Sequence, residues 1–155
     1  HKTEWWYYTG SLATSDGRRF GFQFTIFRSQ LAPSGAEKTW PDPPSAWRSN
    51  QIMLGHAALT DVSGRRHVQS ERVSRQALGL AGWEQGPVSV RFFLGDWNLT
   101  ISQGAHALKA TGDGFSFELA LSPQKAPWPT ETAATASKAP GPRAPVATTA
   151  SRACP

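Results

Sequence analysis

The sequence predicts an all-β fold, an antiparallel barrel or sandwich of roughly eight short strands. Three observations carry this. Apolar and polar residues alternate with period two through most of residues 3–122. Turn-forming clusters separate the runs at hairpin spacing: Ser15-Asp16-Gly17, Ser63-Gly64, Gly95-Asp96 and Gly112-Asp113-Gly114. A helical period of 3.6 residues is nowhere evident.

The first strand, expected at 4–13, opens on Glu4-Trp5-Trp6-Tyr7-Tyr8. Alternation sets Glu4, Trp6 and Tyr8 on one face and Trp5, Tyr7 and Thr9 on the other. In the second, 18–29, Phe20, Phe22, Phe24 and Ile26 oppose Gly21, Gln23 and Thr25. Residues 31–50 carry four prolines with Trp40 and Trp47, and read as a long loop. The third strand, 51–62, puts His56 on a face with Ile52, Leu54 and Ala58, and 65–73 completes the next hairpin. Residues 74–86, with Gly79, Gly82 and Gly86, read as a second long loop. Four further strands are expected at 87–94, 97–103, 105–111 and 115–122, the last alternating through Phe115, Phe117, Leu119 and Leu121. Such a meander removes its exposed edges by closing on itself or by stacking two sheets. The long loops either cover a ligand cavity at the barrel mouth or are plain surface excursions.

Composition narrows the partners. A 39% apolar share supplies a core, and a 17% charged share is too low for a disordered charged chain. No apolar run is long enough for a membrane span, so a transmembrane helix is not expected. The net charge is +5, but its basic groups form no stripe, and nucleic acid is not an expected partner. Cys154 is the only cysteine, and with four histidines it makes no zinc pattern. No metal or other cofactor is expected. The chain opens without Met or a signal segment, directly in an aromatic strand, and is read as a fragment or a processed chain.

Residues 126–155 differ from the body. Ala, Pro, Thr and Ser fill 22 of these 30 positions, too little apolar material to bury a core, and a disordered tail is expected. Back-translation in a shifted frame permits a Gly/Tyr-rich, strand-like sequence over Thr130–Ala136 and Pro145–Pro155, so a frameshift near residues 126–130 is the sharper expectation. The expected domains are therefore a barrel at 1–125, incomplete at its C-terminus, and a tail at 126–155.

Several strings are unusual in combination: Glu4-Trp5-Trp6-Tyr7-Tyr8-Thr9-Gly10, Gly17-Arg18-Arg19-Phe20-Gly21-Phe22-Gln23 and Gly55-His56-Ala57-Ala58-Leu59-Thr60-Asp61. Phe27-Arg28, Glu71-Arg72 with Arg75, Gly79-Leu80-Ala81-Gly82 and Asp96-Trp97 join them in order. Together they resemble the N-terminal lipocalin-like domain of the carotenoid 1,2-hydratase (hydroxyneurosporene synthase) family. This is the CrtC/AttH group, often labelled predicted secreted hydrolases, and the resemblance covers residues 1 to about 127. It implies a lipocalin-like (calycin) β-barrel and a second lipocalin-like domain in the full-length protein. It also implies an apolar small-molecule ligand of terpenoid, carotenoid or polyketide type, and a periplasmic or secreted setting. An enzymatic member would be a hydratase adding water to a C=C bond, or a cyclase, with its site dependent on the second domain. An inactive truncated product is the third reading.

Alkene hydration needs a carboxylic acid to protonate carbon and aromatic faces to stabilise the cation. Glu4 among its aromatic neighbours supplies those types; the alternative is a bracing strand with Glu4 at its solvent end. His56 and Asp61 are the other weak catalytic candidates. His56 on an apolar face also reads as a hydrogen-bonded core residue, and Asp61 as a turn former beside Ser63-Gly64. Arg28, Arg72 and Arg75 are open to pairing with Glu4, Glu71 or an anionic ligand head. Trp5, Trp6, Tyr8, Gln23 and His56 are the expected ligand-binding residues. Polar groups inside strands suggest a lined interior, with the Phe20–Ile26 face turned outward; the opposite assignment of faces is the alternative. A Gly-x-Ser-x-Gly nucleophile elbow is absent, so hydrolysis has no motif support.

Overall fold

A computed structural model describes residues 3–122 and, as backbone alone, 151–153. The first four strands are β1 (Thr3–Ala13), β2 (Arg19–Gln30), β3 (Gln51–Asp61) and β4 (Arg66–Arg75). The next five are β5 (Ala81–Gln85), β6 (Ser89–Leu94), β7 (Trp97–Ser102), β8 (Ala105–Gly112) and β9 (Phe115–Leu121), and Ser151–Ala153 forms β10. A short 3-10 turn, Ala36–Thr39, lies in the 31–50 loop. The all-β antiparallel expectation holds. No described helix is long and apolar enough to cross a membrane.

The strands form two antiparallel sheets among the described residues, ordered β10-β1-β2-β3-β4 and β5-β6-β7-β8-β9. The sheets do not join into a closed barrel, in keeping with the expectation of a barrel incomplete at its C-terminus; they face one another as layers. The reason is local. Leu78 and Gly79 both take positive φ (52° and 70°), and Leu80 N–H donates to Ala77 C=O at 3.0 Å. This tight corner carries the chain out of the first sheet after β4 and into the second at β5. Residues 81–85, expected as loop, are a strand because Trp83, Glu84 and Gln85 pair with Phe92, Arg91 and Val90 across a short hairpin. Gly82 and a lone large apolar residue, Trp83, hid the alternation. The expectations for residues 126–155 lie outside the described residues, apart from the backbone of β10, which pairs with Trp5–Tyr7 of β1.

The core is the inward face of each layer. Trp6, Tyr8, Phe22, Phe24, Ile26, Met53 and Ala57 come from the first sheet. Phe92, Leu94, Trp97, Leu99, Leu108, Ala110 and Phe115 come from the second. Trp97 has no exposed surface, and its indole donates to Thr111 C=O at 2.7 Å. It fits because β3 presents Gly55 to it. A Cβ there would sit 2.9 Å from Leu94 Cδ2 and 3.0 Å from the indole ring. Arg72 of β4 reaches over the Trp97 ring, 4.9 Å from its centroid. The same guanidinium donates to Asp96 and, at 3.0 Å, to Thr111 Oγ1. The Glu71-Arg72 and Asp96-Trp97 strings are thus two halves of one clasp between the layers.

Gly55→Ala should destabilise the protein by about 1–3 kcal/mol through overpacking. Gly21→Ala, whose Cβ would meet only Thr60 Cβ at an ordinary 3.8 Å, should change little; denaturant midpoints of the two variants compare them directly. The clasp also has a pH signature. The Arg72 hydrogen bond, then that from Thr111, holds the Asp96 carboxyl at a pKa of about 2, below the unfolded value. Its stabilisation is complete above the unfolded pKa and is lost as pH falls through about 2. Asp96→Asn should flatten the acid limb of the stability–pH curve.

Candidate functional site

A cleft of about 360 Å³ lies between the layers beneath β1. β1 supplies Glu4, Trp6 and Tyr8 to it, three side chains of one parity and so of one face. β2 adds Arg28, while Trp83, Val90, Phe92, Ile101 and His106 close it from the second sheet. The volume falls in the range of small-molecule pockets, and the lining is mainly apolar with a few polar groups at its ends.

Hairpin register places the first polar group. The β1–β2 turn centres on Asp16, and residues equidistant from it pair, so Glu4 stands opposite Arg28. Glu4 is only 5% exposed and accepts a hydrogen bond from Arg28 Nη2. The guanidinium also stacks on Trp83, 4.4 Å from the ring centroid. Cation–π contact and ion pairing together fix its plane.

The second polar group is Tyr8 with His106. The Tyr8 hydroxyl lies 2.9 Å from His106 Nδ1, and the rings meet edge to face at 5.8 Å. Burial pushes the Tyr8 pKa well up, and burial lowers that of His106. Both are neutral at pH 7. Between the two polar ends, Trp6 packs on Phe92 with ring centroids 4.0 Å apart.

The structure divides the ligand-binding candidates. Trp6 and Tyr8 line the cleft; Trp5, Gln23 and His56 do not. Trp5 stands on the outer face, in register with Phe27, Leu54 and Val73. Gln23 is exposed. His56 is half-exposed, with Nε2 3.8 Å from Glu71 and its ring edge-on to Phe27 at 5.7 Å. The outward assignment of Phe22, Phe24 and Ile26 is therefore corrected: they face the core. Burying three such side chains stabilises by about 1.5–3 kcal/mol each, and the polar Gln23–His56 face meets water at little cost.

The catalytic candidates separate in the same way. Glu4 is inside the cleft rather than at a solvent end. Asp61 accepts from Gly64 N–H at 2.8 Å and from Arg18 at 2.6 Å, as a turn former does. Its pKa is lowered first by the Gly64 backbone hydrogen bond. Asp61, Glu4 and His56 converge on no common point: Asp61 is at the far end of β3 and His56 is on the outer face. No group of three or more His, Cys, Asp or Glu that could hold a metal occurs among the described residues. Trp83 and His106 were not among the expected site residues, whereas the pairing of Arg28 with Glu4 was one of the expected alternatives. The hairpin register signalled Arg28; His106 shares the parity of Leu108 and Ala110, which points it inward.

The depressed His106 pKa has a sign. The unfolded chain takes up the proton first, so stability is full above the unfolded His value of about 6.5 and falls as pH drops below it. His106→Gln, which keeps an acceptor for Tyr8, should remove this part of the pH dependence in chemical denaturation between about pH 7 and 5.

A family model described as AttH-like matches residues 1–147. The match runs past residue 125, where composition placed the domain boundary. The 2.00 Å crystal structure of a provisionally named AttH from Nitrosomonas europaea has a TM-score of 0.60 and 24% sequence identity, covering 81% of this chain and 34% of that one. That likeness concerns the fold, and this chain spans about a third of the length of that protein. No curated protein matches.

Proposed function

The chain belongs to the AttH-like family, and from that premise we propose that it binds an apolar small molecule of terpenoid or polyketide size in the cleft beneath β1. The observation that supports this reading is the lining itself. Trp6, Phe92, Val90 and Ile101 present apolar surface to a space of about 360 Å³, where a domain of this size would otherwise bring its layers into contact. The carotenoid-hydratase relationship, the second lipocalin-like domain and an extracytoplasmic setting belong to the same proposal and rest on the sequence resemblance.

A reading as part of a hydratase draws on one observation, the buried Glu4 carboxylate beside the aromatic faces of the cleft. Glu4 accepts a hydrogen bond from Arg28, so a proton-donating role requires that contact to break. Binding needs no such step and is the better-supported function.

A neutral fluorescent probe, N-phenyl-1-naphthylamine, should bind the 155-residue chain and brighten on entering the cleft. Val90→Trp, which fills the cleft, should weaken binding at least tenfold. Trp5→Ala, on the outer face, should leave it unchanged. Equal binding by Val90→Trp and the parent would refute the cleft as the site.

A further inference from the structure

Resting on the cleft reading, we infer that the ligand is an uncharged, elongated molecule with an oxygen acceptor at each end. Besides Gln85, which is exposed to solvent, the cleft holds two half-buried hydrogen-bond donors, one at either end of an apolar floor.

The first donor is the Arg28 guanidinium. One Nη2–H goes to Glu4, and Trp83 covers its face. A guanidinium carries five N–H donors. Arg28 Nε is buried without a hydrogen-bond partner, so the protein does not use the full set. Glu4 already balances the charge. An added carboxylate would sit beside Glu4 and be repelled, whereas a carbonyl or hydroxyl oxygen would not.

The second donor follows from the Tyr8 hydroxyl. Tyr8 is 1% exposed, and its hydroxyl bonds to His106 Nδ1. If Nδ1–H donated to Tyr8, the buried phenolic proton would be left without an acceptor. The satisfied arrangement has Tyr8 O–H donating to Nδ1. That fixes the neutral imidazole as the Nε2–H tautomer, a donor on a residue that lines the cleft. Burial of His106, which disfavours its charged form, agrees with this.

Glu4 and Tyr8 are four residues apart on one face of β1, so the polar ends are about 13 Å apart along the strand. Trp6, midway between them and packed on Phe92, is the floor. A fully apolar ligand would leave both donors unpaired, and a monofunctional one would leave one unpaired.

The test compares three probes of one chain length by competition with N-phenyl-1-naphthylamine: 2-undecanone, 2,10-undecanedione and undecanedioate. Hydrophobic partition alone ranks the monoketone first. Two placed donors rank the diketone first, by about tenfold over the monoketone, with the dicarboxylate weakest. Glu4→Met/Arg28→Met and Tyr8→Phe/His106→Phe each remove one donor without leaving a buried charge or hydroxyl unpaired. Each should bring the diketone to the level of the monoketone. If either double variant does not fold, the parent's ranking decides alone. A monoketone that binds as well as the diketone, or a dicarboxylate that binds tightest, overturns the inference and leaves the cleft reading standing. No competition by any of the three, with no binding of the naphthylamine, overturns both.

Discussion

Trp97 stands where the two layers meet, and the remaining packing is arranged around it. The indole has no exposed surface, so its N–H needs a buried acceptor, and Thr111 C=O provides one. The ring needs a flat opposing strand, and Gly55 provides that. The Arg72 guanidinium lies over the ring and bonds to Asp96 and Thr111. These requirements bring residues of β3, β4, β7 and β8 to fixed separations. The inter-layer spacing set there allows the cleft to persist beneath β1, on the opposite edge of the first sheet.

Much of this fold was legible because strand parity is a rigid constraint. Eight strands could be drawn from alternation and turn residues, and the shared face of Glu4, Trp6 and Tyr8 followed from counting. Parity does not say which face turns inward. The polar side chains of Gln23 and His56 suggested a lined interior, yet Phe22, Phe24 and Ile26 together bury far more apolar area on the other side. Closure was likewise beyond reach. Whether a meander closes or splits depends on a corner such as Leu78-Gly79, and a positive φ at a leucine leaves no mark in composition. Strand β5 was hidden because only Trp83 gives it an apolar signature. The cleft's polar groups were legible in part: the turn centred on Asp16 sets Glu4 against Arg28, whereas the meeting of Tyr8 with His106 needs the second sheet in place.

β1 shows how one strand serves two surfaces. Its even positions carry an acid, an indole and a phenol into the interior, each held by a partner on another strand. Its odd positions, Trp5 and Tyr7, meet Phe27 and Thr25 on the outer face. The aromatic density of Trp5-Trp6-Tyr7-Tyr8 is therefore the superposition of two separate rows, and a substitution in one leaves the register of the other intact.

The corner at Gln76–Leu80 has a mechanical consequence. Each sheet closes its backbone hydrogen bonds within one contiguous stretch, residues 3–75 or 81–121, setting aside the short β10. Hydrogen bonds from Gln76 N–H to Gln51 C=O and from Gly95 N–H to Leu80 C=O tie the corner to both sheets. The corner and the Arg72 clasp therefore act as the spine of a book whose two leaves touch elsewhere through side chains. Parting the leaves at the β1 edge costs contacts such as Trp6 on Phe92 and Tyr8 on His106, and among the described residues breaks no sheet ladder. A molecule entering the cleft meets the deformation the architecture resists least.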